Sequence, residues 1–138
     1  MFLLFLCLPL LSLIAGEYYQ FRGRHYLASY LDCDEEAISN VSAFLDTMDR
    51  AVAASHATIL SRNHYVFDPA GLTVVYLLSE SHASLHTYPE KRACFVDLFT
   101  CGDSCSSDEF NRTLQDYLRP EKTVFKHFYR YEEIEEVP

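Results

Sequence analysis

Positive charge is scarce in this chain: 11 Lys and Arg stand against 20 Asp and Glu, giving a formal charge of −9 and a pI near 5.0. Nucleic acid and anionic membrane surfaces are approached through clustered basic residues, and no basic stripe runs through the sequence, so both are excluded as partners. Metal-ligand spacing is also missing. Cys101-x-x-x-Cys105 has no second spaced pair, and His86 as a third ligand does not complete a set, so no metal site is expected. There is no internal repeat and no low-complexity linker. At 138 residues and 49% apolar content, the chain supports one domain with a modest core.

Long apolar runs are confined to residues 2–15 (FLLFLCLPLLSLIA), a length suited to a signal-peptide core and short for a spanning helix. No Lys or Arg precedes this run and no small-x-small cleavage site follows it. The chain is therefore divided into an apolar leader over 1–16, read as a signal peptide or anchor, a single domain over 17–131, and an acidic tail over 132–138. In the tail, Glu132, Glu133, Glu135 and Glu136 read as a solvated run. Two sequons, Asn40-Val41-Ser42 and Asn111-Arg112-Thr113, would accept glycans only in a secretory compartment. With Cys7 in the leader, Cys33, Cys94, Cys101 and Cys105 form an even set that is compatible with disulfides without requiring them.

The element pattern starts with a strand over 24–31 (RHYLASYL). Val41, Phe44, Leu45, Met48 and Val52 then recur at helical spacing, which predicts a helix from Ala37 to near Ala54 with Asp34 as N-cap. Strands follow over 58–66, 72–78, 83–87 and 93–100, the second of them a continuous apolar run typical of a buried strand. Ser106-Ser107-Asp108-Glu109 is a capping box for a second helix carrying Phe110, Leu114, Tyr117 and Leu118, and Pro120 ends it. A last strand is expected over 123–131. The order β-α-β-β-β-β-α-β predicts an α+β fold, a two-layer sandwich of mainly antiparallel sheet with helices on one face.

Ser81 lies between Glu80 and His82, where the buried run must turn and where strain can be held by the surrounding sheet. Its hydroxyl is placed to attack the carbonyl before it. A neutral serine needs a neighbouring base or a strained geometry, and His82 or His86 is near enough in sequence to serve. Taken alone, this serine and its imidazoles fit a hydrolase as well as a self-cutting chain. His25, His56, His64 and His127 read as structural.

Three longer blocks narrow the choice: Gly71-Leu72-Thr73-Val74-Val75, then residues 79–90 (SESHASLHTYPE), then Val96-Asp97-Leu98-Phe99-Thr100-Cys101-Gly102. In order and spacing the chain resembles the S-adenosylmethionine decarboxylase proenzymes of the bacterial and archaeal type, from Gly23 through the last strand. The resemblance implies self-cleavage between Glu80 and Ser81 into a β chain ending at 80 and an α chain starting at 81. It implies that Ser81 becomes a pyruvoyl group, the cofactor, whose ketone forms a Schiff base with the substrate and takes up the electrons of the departing carboxylate. By the same resemblance, His86 moves protons during processing, Thr73 assists it, and Cys101 is the general acid that reprotonates product. Phe67, Tyr88 and Glu90 fall at substrate-contacting positions, Phe67 stacking on the adenine.

The implied activity is decarboxylation of S-adenosylmethionine to the aminopropyl donor for spermidine synthesis, in a homodimer of processed protomers. Two departures stand out. Tyr88 replaces a Trp common in the family, and family members are generally cytosolic and lack an apolar leader. A pyruvoyl-dependent arginine or ornithine decarboxylase, and a non-catalytic secreted binding module, are the alternatives carried forward.

Overall fold

Tyr26, Ala28 and Tyr30 alternate inward, which makes the first element a half-buried strand, β1 (Gly23–Leu31). The computed structural model describes residues 21–101 and 104–137; the expected leader over 1–16 lies outside them, as does Gly102. Two helices follow, α1 (Glu35–Ser39) and α2 (Val41–Ala54), where one was expected. Asp34 does cap the first, accepting from the Ala37 N–H at 2.9 Å. The break is made by Asn40, which closes α1 and whose Oδ1 accepts from the Ala43 N–H at 3.1 Å, offering the backbone a local partner that competes with a continuous helix. Phe44, Leu45, Met48 and Val52 are buried along α2, as their spacing requires.

The chain then runs through β2 (Ile59–Phe67), β3 (Gly71–Leu78), β4 (Ser81–Tyr88), a 3-10 turn at Pro89–Lys91 and β5 (Ala93–Cys101). β4 begins two residues before the expected start at Ala83. Only Ser79 and Glu80 connect β3 to it, so Leu78 pairs directly with Ser81. After β5 comes α3 (Ser107–Leu118), where the capping box holds: Ser106 Oγ accepts from the Glu109 N–H at 3.3 Å. β6 (Lys122–Arg130) follows, and then a short strand where a solvated tail was expected. That strand, β7 (Ile134–Val137), pairs antiparallel with β6, and Lys126 bonds Glu136 across the pair. Glu132, Glu133, Glu135 and Glu136 are exposed as predicted, while the backbone between them satisfies its hydrogen bonds in a ladder.

Every strand pair is antiparallel, in the order β2-β3-β4-β5-β1-β6-β7. The helices lie on one face, and the core between layers is built from Tyr30, Phe44, Met48, Tyr76, Leu85, Leu98, Phe110 and Leu114. Buried hydroxyls in that core are paired: Tyr30 donates to Asn111 Oδ1 at 2.8 Å, and Tyr76 donates to Asp49 Oδ1 at 2.7 Å. The first of these bonds occupies the amide of the Asn111 sequon on the inner side of α3. Burial pushes the Tyr26 phenol up to about 12, the bond to Tyr30 opposing it.

Phe110 is fully buried with its ring 6.2 Å from that of Tyr26. Phe110→Ala is expected to cost about 3–5 kcal/mol, the lost burial plus the cavity left under α3. Urea unfolding reads it as a lower midpoint at an unchanged slope. A midpoint equal to that of the parent chain would show that α3 does not close the core.

The opposite face of the sheet is uncovered. Leu27, Val75, Leu77, Tyr88, Phe95 and Val124 are exposed there, together with Tyr65 and Phe67 of β2. The side-chain alternation that buries Val74, Leu85 and Val96 under the helices sends the residues between them to this face.

Candidate active site

Residues 79–81 form the tightest turn beside the open face, and the backbone there is unusual. Ser81 has φ of 146°, a value L residues rarely adopt, and holding a non-glycine residue there costs on the order of 1–3 kcal/mol. Pairing with β3 on one side and β5 on the other holds the residue in this conformation. The carbonyl that precedes it is not idle: Glu80 O accepts from the Cys101 N–H at 2.9 Å. The Glu80 side chain is tied back as well, Oε2 accepting from the Thr58 N–H at 2.8 Å. Ser81 Oγ lies 3.4 Å from Cys101 Sγ, bringing together the two residues expected at neighbouring strand ends. A hydroxyl, a thiol and a polarised carbonyl thus meet at one strained peptide bond.

A second group gathers at the other end of β4. Phe67, Thr73, His86, Tyr88 and Glu90, with Asp68, line a cavity of about 590 Å³, within the size range of small-molecule sites. Thr73 pairs with His86 across the β3–β4 ladder, and Thr73 Oγ1 is 3.0 Å from His86 Nδ1, a bond that sets the orientation of the ring. Aromatic faces are presented on both sides of this cavity. The Phe67 ring packs against Tyr65 at 4.7 Å and remains half exposed, and Tyr88 packs against Phe95 at 5.3 Å. Thr73 and His86, expected to assist processing, and Phe67, Tyr88 and Glu90, expected to contact substrate, are therefore neighbours.

The two groups do not meet within one protomer. His86 is five positions beyond Ser81 on the same strand, about 17 Å at the usual rise, whereas proton transfer needs heavy atoms within about 3 Å. His86 is thus too far along the strand to serve as an imidazole base for Ser81 within this single chain.

Between the groups lies a cluster that the motif reading left structural or unassigned. Asp97 Oδ1 is 3.6 Å from His25 Nε2 and 3.8 Å from His82 Nε2, and Ser84 Oγ donates to Asp97 Oδ2 at 2.5 Å. Burial raises the Asp97 pKa, but His25, Ser84 and His82 together outweigh it and hold the carboxyl below its ordinary value. The signal available in the sequence was the alternation itself. His82, Ser84 and Asp97 share the parity of the exposed face, and His25 joins them through the β1–β5 register.

The sequence matches the profile of the S-adenosylmethionine decarboxylase family over residues 24–131, which is most of the chain. The chain belongs to the S-adenosylmethionine decarboxylase family. An S-adenosylmethionine decarboxylase proenzyme of Thermosipho africanus is 36% identical over 114 residues, covering 81% of this chain and 88% of that protein. One from Methanococcus aeolicus is 33% identical over 100 residues, covering 72% and 86%. Among solved structures, the adenosylmethionine decarboxylase of Aquifex aeolicus superposes with a TM-score of 0.69 at 32% identity, covering 84% of this chain and 96% of that one. The α+β fold expected from the element order is the fold of this family. Among the described residues no helix is long and apolar enough to cross a membrane.

Proposed function

We propose that this chain cuts itself between Glu80 and Ser81 and then decarboxylates S-adenosylmethionine, yielding the aminopropyl donor used for spermidine. The observation that carries the proposal is the junction itself: a serine at φ of 146°, preceded by a carbonyl that accepts the Cys101 N–H. Attack of Ser81 Oγ on the Glu80 carbonyl carbon moves the acyl bond from nitrogen to oxygen. The Cys101 N–H stabilises the charge that develops on the carbonyl oxygen, the role of an oxyanion donor. Relief of the strained φ favours the shift. Loss of the Cα proton of residue 81 then breaks the ester, releasing Glu80 as a new carboxylate terminus. Hydrolysis of the resulting dehydroalanine gives ammonia and a pyruvoyl group.

That group supplies an electron sink for the carboxylate lost from the substrate. The residues around it do the rest. Cys101 Sγ, 3.4 Å from the oxygen it faces before cleavage, is the proton donor to the product carbon. His86, oriented by Thr73, moves the proton in the elimination. Phe67 and Tyr88 offer flat faces to a purine and Glu90 a carboxylate to its ribose or charged chain. Tyr88 in place of a tryptophan keeps the stacking surface and adds a hydroxyl.

The separation of about 17 Å along β4 gives the reading its quaternary form. Two copies stacked through their open faces, about a two-fold axis between the sheets and across the strands, lay the His86–Glu90 end of one β4 over the Ser81 end of the other. This arrangement also covers Leu27, Val75, Leu77 and Phe95, a face too apolar to be left in water. In this homodimer each active site takes Ser81 and Cys101 from one protomer and Phe67, Thr73, His86, Tyr88 and Glu90 from the other.

Intact-mass measurement on purified protein, paired with carbon dioxide release from S-adenosylmethionine, arginine and ornithine, tests the proposal. Two fragments meeting at Glu80/Ser81, a pyruvoyl terminus and turnover of the first substrate are expected. Turnover of arginine or ornithine alone would move the chain to the other pyruvoyl decarboxylases. A single uncut chain without turnover would leave a binding module.

A further inference from the structure

The cluster at the centre of the open face takes no part in the chemistry above, yet it has the form of a ligand set. Asp97 on β5 turns Oδ1 toward two imidazole nitrogens, Nε2 of His25 from β1 and Nε2 of His82 from β4, and the three atoms lie within 4.8 Å of one another. At 3.6 and 3.8 Å neither imidazole is within hydrogen-bonding range of that oxygen. His25 Nε2 is buried and has no hydrogen-bond partner, which is a cost unless something else fills the space between the three groups. The second carboxylate oxygen is fixed from outside by Ser84 Oγ, the kind of supporting bond that orients a ligating carboxylate. Phe99 packs beside both imidazoles, its ring centroid 5.4 Å from each. Gly23 makes room for that ring, since a Cβ there would lie 2.3 Å from it.

The geometry points to a divalent transition-metal site of the zinc class, held by His25, His82 and Asp97. Bonds of about 2.0–2.2 Å around a tetrahedral ion place its ligand atoms about 3.4 Å apart, so the two carboxylate–imidazole separations need only a few tenths of an ångström of contraction. Two imidazoles and one carboxylate favour Zn²⁺, Co²⁺ or Fe²⁺ over Mg²⁺ and Ca²⁺, which prefer all-oxygen shells. Three protein ligands leave the fourth position of a tetrahedral ion unassigned. An ion here joins three neighbouring strands, β4, β5 and β1, at a point one residue past Ser81, so it clamps the start of β4 against the rest of the sheet.

The test uses untagged full-length protein. Its metal content is measured as purified, and the chelator-treated protein is titrated with Co²⁺ alone, followed by visible absorption, with thermal unfolding recorded in parallel. One equivalent of metal, a d–d band of a four- or five-coordinate ion displaced by Zn²⁺, and a melting temperature that climbs with metal concentration are expected. His25→Gln and His82→Gln abolish the band, and Ser84→Ala weakens Co²⁺ on the order of 10–100-fold by freeing the carboxylate. Circular dichroism shows whether each variant is folded, and Ser84→Ala, which removes no ligand, decides the matter if a histidine variant is not. Metal-free protein that shows neither a band nor a melting shift overturns the site. So does a band left unchanged by the three substitutions, which would place the ion on other groups such as the thiols.

Discussion

Replacing Ser81 by alanine leaves a single uncut chain that releases no carbon dioxide from S-adenosylmethionine. The methyl group has no oxygen to receive the Glu80 acyl group, and without the cut no ketone is formed at residue 81. Every later step depends on that ketone, so the whole rate enhancement is lost, at least about six orders of magnitude for an enzyme of ordinary power. The loss is not one of folding. Ser81 Oγ makes one weak contact, with a sulfur, and the strand pairing of residue 81 is by backbone. Intact mass and carbonyl reactivity report the cut, and substrate turnover reports the chemistry. Turnover by the uncut variant would remove Ser81 from the centre of the mechanism.

Two inactive variants, produced together, recover activity. Ser81→Ala lacks the precursor but keeps His86, Phe67, Tyr88 and Glu90; His86→Ala keeps Ser81 and Cys101 but lacks the imidazole that serves its partner. In a mixed dimer one active site joins Ser81 and Cys101 of the second variant to the intact far end of the first, while the other site lacks both. Random pairing makes half of the dimers mixed, each with one good site of two, so about one quarter of the parental activity is expected. Mass spectrometry adds a directional readout, because only the His86→Ala chain is cut in the mixture. No recovery, with the two chains shown to pair, would place His86 within the same protomer as the serine it serves. The expectation rests on a length: about 17 Å along one strand is fixed by the rise per residue and survives any side-chain rotation.

Much of this arrangement is legible in the order of residues. The helical spacing in 41–52, the capping box at Ser106 and the long motif blocks are local signals, and the structure realises each of them where local chemistry dictates. Misses occur where a partner far away in sequence decides. Asn40 ends one helix and starts another because its short amide reaches back to the backbone, which a periodicity of apolar residues does not register. β7 forms because the edge of β6 is available to be paired, so a run of glutamates that favours solvent still supplies a strand through its backbone. The motif blocks name the candidate site residues as one set, while their division into two groups is hidden in them. A motif gives neighbours along the chain, and a strand that is eight residues long separates its own ends. The histidine–aspartate cluster was hidden for a similar reason: His25 and Asp97 are 72 positions apart and meet only through the β1–β5 register.

The strand order carries a consequence for the products of the proposed cut. β1, β2 and β3 precede Glu80, and β4 to β7 follow it, but the sheet does not keep the two sets apart. β3 lies beside β4, and β1 lies between β5 and β6, hydrogen-bonded to both along its length. The severed pieces would be interleaved, so neither could leave without tearing three ladders, β3–β4, β5–β1 and β1–β6. A backbone broken here would behave in solution as one body, its fragments parting only in denaturant.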